Sequence, residues 1–76
     1  MDFTFSPHAL DRMWQNGLGP EDIDAVLSDP RWMPPTTRGT RYDGILGDGR
    51  LAVVVDEERT VPHIVTVFWV GGRRTE

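Results

Sequence analysis

The sequence predicts an α+β fold of order β-α-α-β-β-β, an antiparallel sheet with a helical hairpin packed on one face. Three observations predict it. Two proline-led segments within residues 6–28 place apolar residues at helical spacing. The pair Pro34-Pro35 then enforces extended geometry and interrupts any helix. From residue 40 onward, three β-rich runs are separated by clusters of turn-forming residues.

Taken in order, DFTF at residues 2–5 reads as a short strand with Phe3 and Phe5 on one side. Ser6-Pro7 starts the first helix: the serine oxygen can accept from free backbone N–H groups, and proline at the first helical position gives up no hydrogen bond. Ala9, Leu10, Met13 and Trp14 form one apolar arc, which places Trp14 in the core, while His8, Arg12 and Gln15 lie opposite. Gly17 is the stop. Gly19-Pro20 open a second helix, where Glu21 and Asp22 complement the positive end of the dipole. Its buried stripe is Ile23, Val26 and Leu27, and Asp29-Pro30 ends it. RWMPPTTRG (31–39) is a connection. TRYDGIL (40–46), RLAVVVD (50–56) and HIVTVFWV (63–70) are strands, with Gly47-Asp48-Gly49 as a tight hairpin turn and EERTVP (57–62) as a looser one. The last two strands are apolar on both sides and should be central. One face of the sheet should pack the helices, and the other should be partly covered or form a contact surface. Val65, Val67 and Trp69 share a face by the period of two.

The 76 residues make a single domain, 1–76, with a small core, because a chain this short buries only about 60–65% of the surface its unfolded form exposes. Without cysteine, neither disulfides nor thiolate metal sites can supplement it. The longest apolar run, Leu51 to Val55, is far short of the ~20 residues of a bilayer span. No basic stretch leads into an apolar one at the N-terminus, so a cytoplasmic protein with no membrane contact is expected. The net charge of −4 is uneven: six acids against Arg12 alone in residues 1–30, but four arginines against Asp43 and Asp48 in residues 31–55. That total argues against a chain that coats nucleic acid. All eight basic residues are arginine, as a GC-rich genome would produce and as bidentate recognition of phosphate or carboxylate would favour.

His8 and Arg12 stand one helical turn apart and can meet on one face. The helix dipole and the neighbouring cation both disfavour the imidazolium, leaving a base beside an anion-holding group. That pairing suits RNA cleavage through the 2′-hydroxyl, with Arg38, Arg41 and Tyr42 supplying further charge and an acid if strand 40–46 lies beside the first helix. The blander account has His8 bonded to a backbone carbonyl at the helix–sheet junction and Arg12 paired with Asp11, Asp2 or a strand carboxylate. Trp32, next to Arg31, has the makings of a stacking or partner-anchoring residue. Trp69 either covers the core or serves an interface. His63, next to Pro62, reads as a surface residue, and a His8–His63 pair lacks a third ligand, so no metal or other cofactor is expected.

FSPHALDRMWQNGLGPEDIDAVLSDP followed by RYDGILGDGRLAVVVDEERTVPHIVTVFWV resembles a family of small bacterial domains of unknown function. The resemblance spans residues 3–70 and rests on His8-Ala9, Arg12-Met13, Gly17, Glu21-Asp22-Ile23 and Val65-Thr66-Val67-Phe68, with Leu18 where the family has isoleucine. That family is similar in layout to the RelE/BrnT-like toxin ribonucleases. The resemblance implies RNA cleavage, or descent from it, and an antitoxin partner in many relatives. The sequence departs from the pattern at Asn16, where many members carry a basic residue, and at Gly19, where a Ser or Thr usually caps the second helix.

Two functions are therefore expected as alternatives. The first is a toxin-type, metal-independent endoribonuclease or a degenerate relative of one. In it His8, Arg12, Arg41 and Tyr42 carry the chemistry, Arg31, Trp32 and Arg38 bind RNA, and Thr66 supports them from behind. The second is a non-catalytic protein-interaction module, as a homodimer or as an accessory subunit.

Overall fold

The computed structural model describes residues 2–71. The elements are β1 (Thr4–Phe5), α1 (Pro7–Gln15), α2 (Pro20–Ser28), β2 (Thr40–Leu46), β3 (Gly49–Asp56) and β4 (His63–Gly71), in the order expected. The four strands form one sheet in the spatial order β1-β4-β3-β2. β2, β3 and β4 are an antiparallel meander, whereas β1 joins the edge of β4 in parallel, so the sheet is mixed rather than antiparallel throughout. The connection permits the parallel join: β1 leads into two helices and a long crossover that re-enters the sheet at β2, and the meander then brings β4 alongside β1.

Local chemistry sets the helix ends. Ser6 Oγ accepts from the Ala9 N–H at 3.0 Å and donates to the Val65 carbonyl at 2.7 Å, so one side chain caps α1 and ties it to β4. At the other end Gly17 takes φ +67°, and the Leu18 N–H donates to the Met13 carbonyl at 2.8 Å, closing a Schellman motif. α2 lacks a hydroxyl cap, and the Asp22 carboxylate accepts from the Gly19 N–H at 2.8 Å instead.

The two helices do not form a packed pair. α1 lies on β4 and β1, α2 lies on β2 and β3, and no Cα of one helix comes within 8 Å of the other helix. α2 sits close over β2, where a Cβ at Gly44 would be only 3.1 Å from a Val26 methyl group. The core between helices and sheet is Ala9, Met13, Ile23, Val26, Leu51, Val53, Val55, Ile64 and Val67. Trp14 is not in it. It is 86% exposed, and Leu10 is exposed as well. The apolar arc of α1 spans about 140° at 100° per residue, wider than one helix can press onto a sheet without a neighbouring helix to cover its flank. A register shift between Val54 and Val55 changes the expected pattern on β4: Val55 pairs with Ile64 and Val53 with Val67, so Ile64, Val67 and Trp69 share the core face and Val65 does not. Among the described residues no helix is long and apolar enough to cross a membrane.

Candidate functional site

The residues expected around one reacting phosphate face different directions. His8 and Arg12 lie on the solvent side of α1, both exposed, and neither side chain bonds another described residue. This also removes the carbonyl-bonded histidine and the ion-paired Arg12 of the blander account. Strand 40–46 lies beneath α2, not beside α1. Within it, Arg41 and Tyr42 necessarily point to opposite faces of the sheet. Tyr42 is on the helix side, packed against the core, and its hydroxyl donates to Glu57 Oε2 at 2.5 Å. The bond to Glu57, then burial, pushes the phenol up to about 12. A phenol so held is a weaker proton donor to a leaving group than a free one, and it lies on the face of the sheet opposite Arg41. Arg38 is exposed on the bend before β2, at the rim of a hollow shared with Asp56, Glu57 and Glu58. Arg31 is exposed and reaches Asp29 at 3.4 Å. Thr66 lies on the far face of the sheet, opposite Val54, away from His8. His63 is half-buried, with Nδ1 2.8 Å from Thr4 Oγ1. No group of three or more metal-ligating side chains occurs among the described residues.

What the fold does assemble lies on the face of the sheet without helices. Arg41 and Asp43 are two apart on β2 and therefore on one side. Register pairs Ile45 with Arg50 and Asp43 with Ala52, which puts Arg50 diagonally across from Asp43. Asp43 is fully buried and is held from both flanks. Arg41 donates Nε to Oδ1 at 2.8 Å and Nη2 to Oδ2 at 2.9 Å, and Arg50 donates Nε to Oδ2 at 2.8 Å. Each guanidinium also rests on a ring: Arg50 Cζ is 4.2 Å from the Trp32 centroid and Arg41 Cζ is 5.1 Å from that of Phe68. The backbone locks Trp32 in place, because its N–H donates to the Asp43 carbonyl and its own carbonyl accepts from the Asp43 N–H.

The electrostatics follow from this packing. Burial on its own would raise the Asp43 carboxyl, but hydrogen bonds and charge from Arg41 and Arg50 outweigh it and hold the group below its ordinary value. The bond to Asp43 likewise raises Arg41. Two cations share one anion, so the cluster keeps one net positive charge. Both guanidinium groups use Nε and Nη2 on Asp43, and Nη1 of each has no partner among the described residues. Their side chains are 20% and 32% exposed. Around them Trp32, Ile45, Phe68 and Val70 present exposed apolar surface. Ala52 and Val54 on this face are buried although no helix lies over them.

Of the expected site residues, Arg41, Trp32 and Thr66 share this face. Asp43, Arg50 and Phe68 are the members that residue-by-residue reading missed. The signal for Asp43 and Arg50 was present in the spacing Arg41-x-Asp43 and in the short turn, which together dictate the Arg50 diagonal. Phe68, by contrast, arrives through the bulged β3–β4 register that no local spacing sets. No family model matches the sequence, and neither a curated protein nor a solved structure matches it significantly.

Proposed function

We propose that this chain is a protein-interaction module that docks a partner on the helix-free face of its sheet. One observation carries the reading: an Arg–Asp–Arg cluster whose aspartate is held from both sides, with each guanidinium over a ring, bordered by exposed Trp32, Ile45, Phe68 and Val70. Aromatic residues and arginine are the side chains enriched where protein interfaces gain most of their affinity. Rigid anchors lose little freedom on binding, and here hydrogen bonds and stacking already fix the arginines. An antitoxin or a second copy of the chain are particular cases of such a partner. Cleavage of RNA by His8, Arg12, Arg41 and Tyr42 would need those groups around one phosphate, and the sheet stands between the first pair and Arg41.

A photo-crosslinking amino acid in place of Ile45, in the full chain expressed in the cells that make it, tests the reading. The same replacement at Gln15 on α1 is the control. Adducts to protein from position 45 and none from position 15 are expected. Adducts from position 15 alone, or adducts to RNA from position 45, would overturn the proposal.

A further inference from the structure

We infer that the segment docking on this face carries a carboxylate between apolar side chains, and that the carboxylate is taken by the Nη1 that Asp43 leaves over on Arg50, the more exposed of the two arginines. The inference rests on the docking reading above and names the chemistry of its partner. The two guanidinium groups are not neutralised by Asp43: two positive charges meet one negative. Nη1 of each is left over from the Nε/Nη2 pairing, and a side-on pair directs the third nitrogen away from the carboxylate it binds. Stacking on Trp32 and Phe68 keeps the guanidinium planes from turning away.

The count of charges selects among anionic partners. One surplus positive charge matches one side-chain carboxylate. A nucleic acid would bring a phosphate at every nucleotide to a chain whose own net charge is −4. The ring of Trp32, Ile45, Phe68 and Val70 adds the second requirement, since burying it needs apolar side chains on both sides of the acid. The opposite side of the molecule could not make this choice: α2 carries Glu21, Asp22 and Asp24 and would repel an acidic segment.

The test uses the full chain and three probes: a short peptide with one central Glu between leucines and no other charge, the same peptide with Gln for that Glu, and a uridine oligonucleotide of equal length. NMR signals from the side-chain Nε–H groups of Arg41 and Arg50 and the Trp32 indole N–H report where each probe sits. The Glu peptide should move all three signals and bind about tenfold more tightly than the Gln peptide, the margin of a charge-assisted pair. Arg50→Lys, which keeps the charge and loses the planar fork, should erase most of that preference. Ile45→Ser, which leaves the cluster intact, should weaken both peptides alike. Thermal melts confirm that each variant is folded. Equal affinity for the two peptides, signals moving only on α1, or tighter binding of the oligonucleotide would each overturn the inference. Protein adducts at position 45 together with equal peptide affinities would leave docking standing and remove acid recognition alone. Missing adducts would remove the docking reading itself.

Discussion

The side of the sheet that carries the helices and the side that does not are built from alternate residues of the same three strands, yet they exclude water by different means. Toward the helices, Leu51, Val53, Val55, Ile64 and Val67 meet Ile23, Val26, Ala9 and Met13, and burial is apolar against apolar. On the other side, Asp43, Ala52 and Val54 are as inaccessible, under a lattice of charge and aromatic rings. The difference teaches what each side tolerates. An apolar core depends on shape and volume. A buried ionic cluster depends on every member being present, because removing one strands the others without a counter-charge. It also stays partly wet and keeps donors at its surface, which an apolar core cannot do.

Removing a single anchor from each side is the strongest way to break this comparison. Asp43→Ala should cost about 3–5 kcal/mol in denaturant unfolding, since two half-buried guanidinium groups lose their shared anion. Leu51→Ala on the helix side should cost about 2–5 kcal/mol through lost contact and cavity. A cost below about 1 kcal/mol for Asp43→Ala would show that the cluster is solvated and that the two sides are not alike in burial.

Replacing the whole cluster sharpens the point. The triple variant Arg41→Met, Asp43→Leu, Arg50→Met should be neutral or more stable by about 1–4 kcal/mol, because desolvation of the three charges disappears with them. It should also fail to distinguish the Glu peptide from the Gln peptide. A triple variant less stable than the native chain by more than about 1 kcal/mol would mean that the cluster itself stabilises the fold.

Acid should act on one side only. Asp43 in the folded chain ionises below the ordinary value of 3.8, so its contribution is complete above that pH and is lost as pH falls toward the lowered value. Stability measured from neutral pH downward should therefore drop below about pH 4 in the native chain. Unfolding curves of the triple variant should show a shallower drop. Equal acid sensitivity would assign the effect to other carboxylates.

Tyr42 on the helix side answers to alkali instead. It is the only tyrosine in the chain, so tyrosinate absorbance reports it alone. Its folded value of about 12 against 10.0 gives stability that is complete below pH 10.0 and is lost as pH rises from there toward 12. Glu57→Gln should bring the midpoint down toward 10.0, and an unmoved midpoint would mean the Tyr42–Glu57 bond is absent in solution. Smallest of all, Trp14→Gln should change stability by no more than about 0.5 kcal/mol, because the ring is exposed. A larger loss would place Trp14 against a surface that the fold leaves clear.

Particular residues show how far the sequence could be read. Ser6, Pro7 and Gly17 carry their instructions locally, in a hydroxyl, a ring and a missing Cβ, and α1 begins and ends where they direct. The same holds for the hairpin at Gly47 and the interruption at Pro34-Pro35. Trp14 was misplaced because an apolar arc tells which way a helix could face, not how much of that arc has a neighbour. The candidate site was misread for a related reason. His8 and Arg12 are neighbours along a helix, but their distance from Arg41 depends on which helix covers which strand. The pairing of Arg41 with Asp43 and Arg50 was open to inspection, since alternation and a two-residue turn set it.

Sequence by itself determined the order of elements, their ends and the register of the β2–β3 hairpin, because those depend on groups a few residues apart. What distant contacts settle is that β1 runs parallel to β4, that the helices lie apart on separate strand pairs, and that the face carrying Arg41, Asp43 and Arg50 is the one left without helices and meets Phe68 and Trp32. Those outcomes depend on contacts between distant segments, where burial and charge pairing are settled by three-dimensional neighbours and not by adjacent residues.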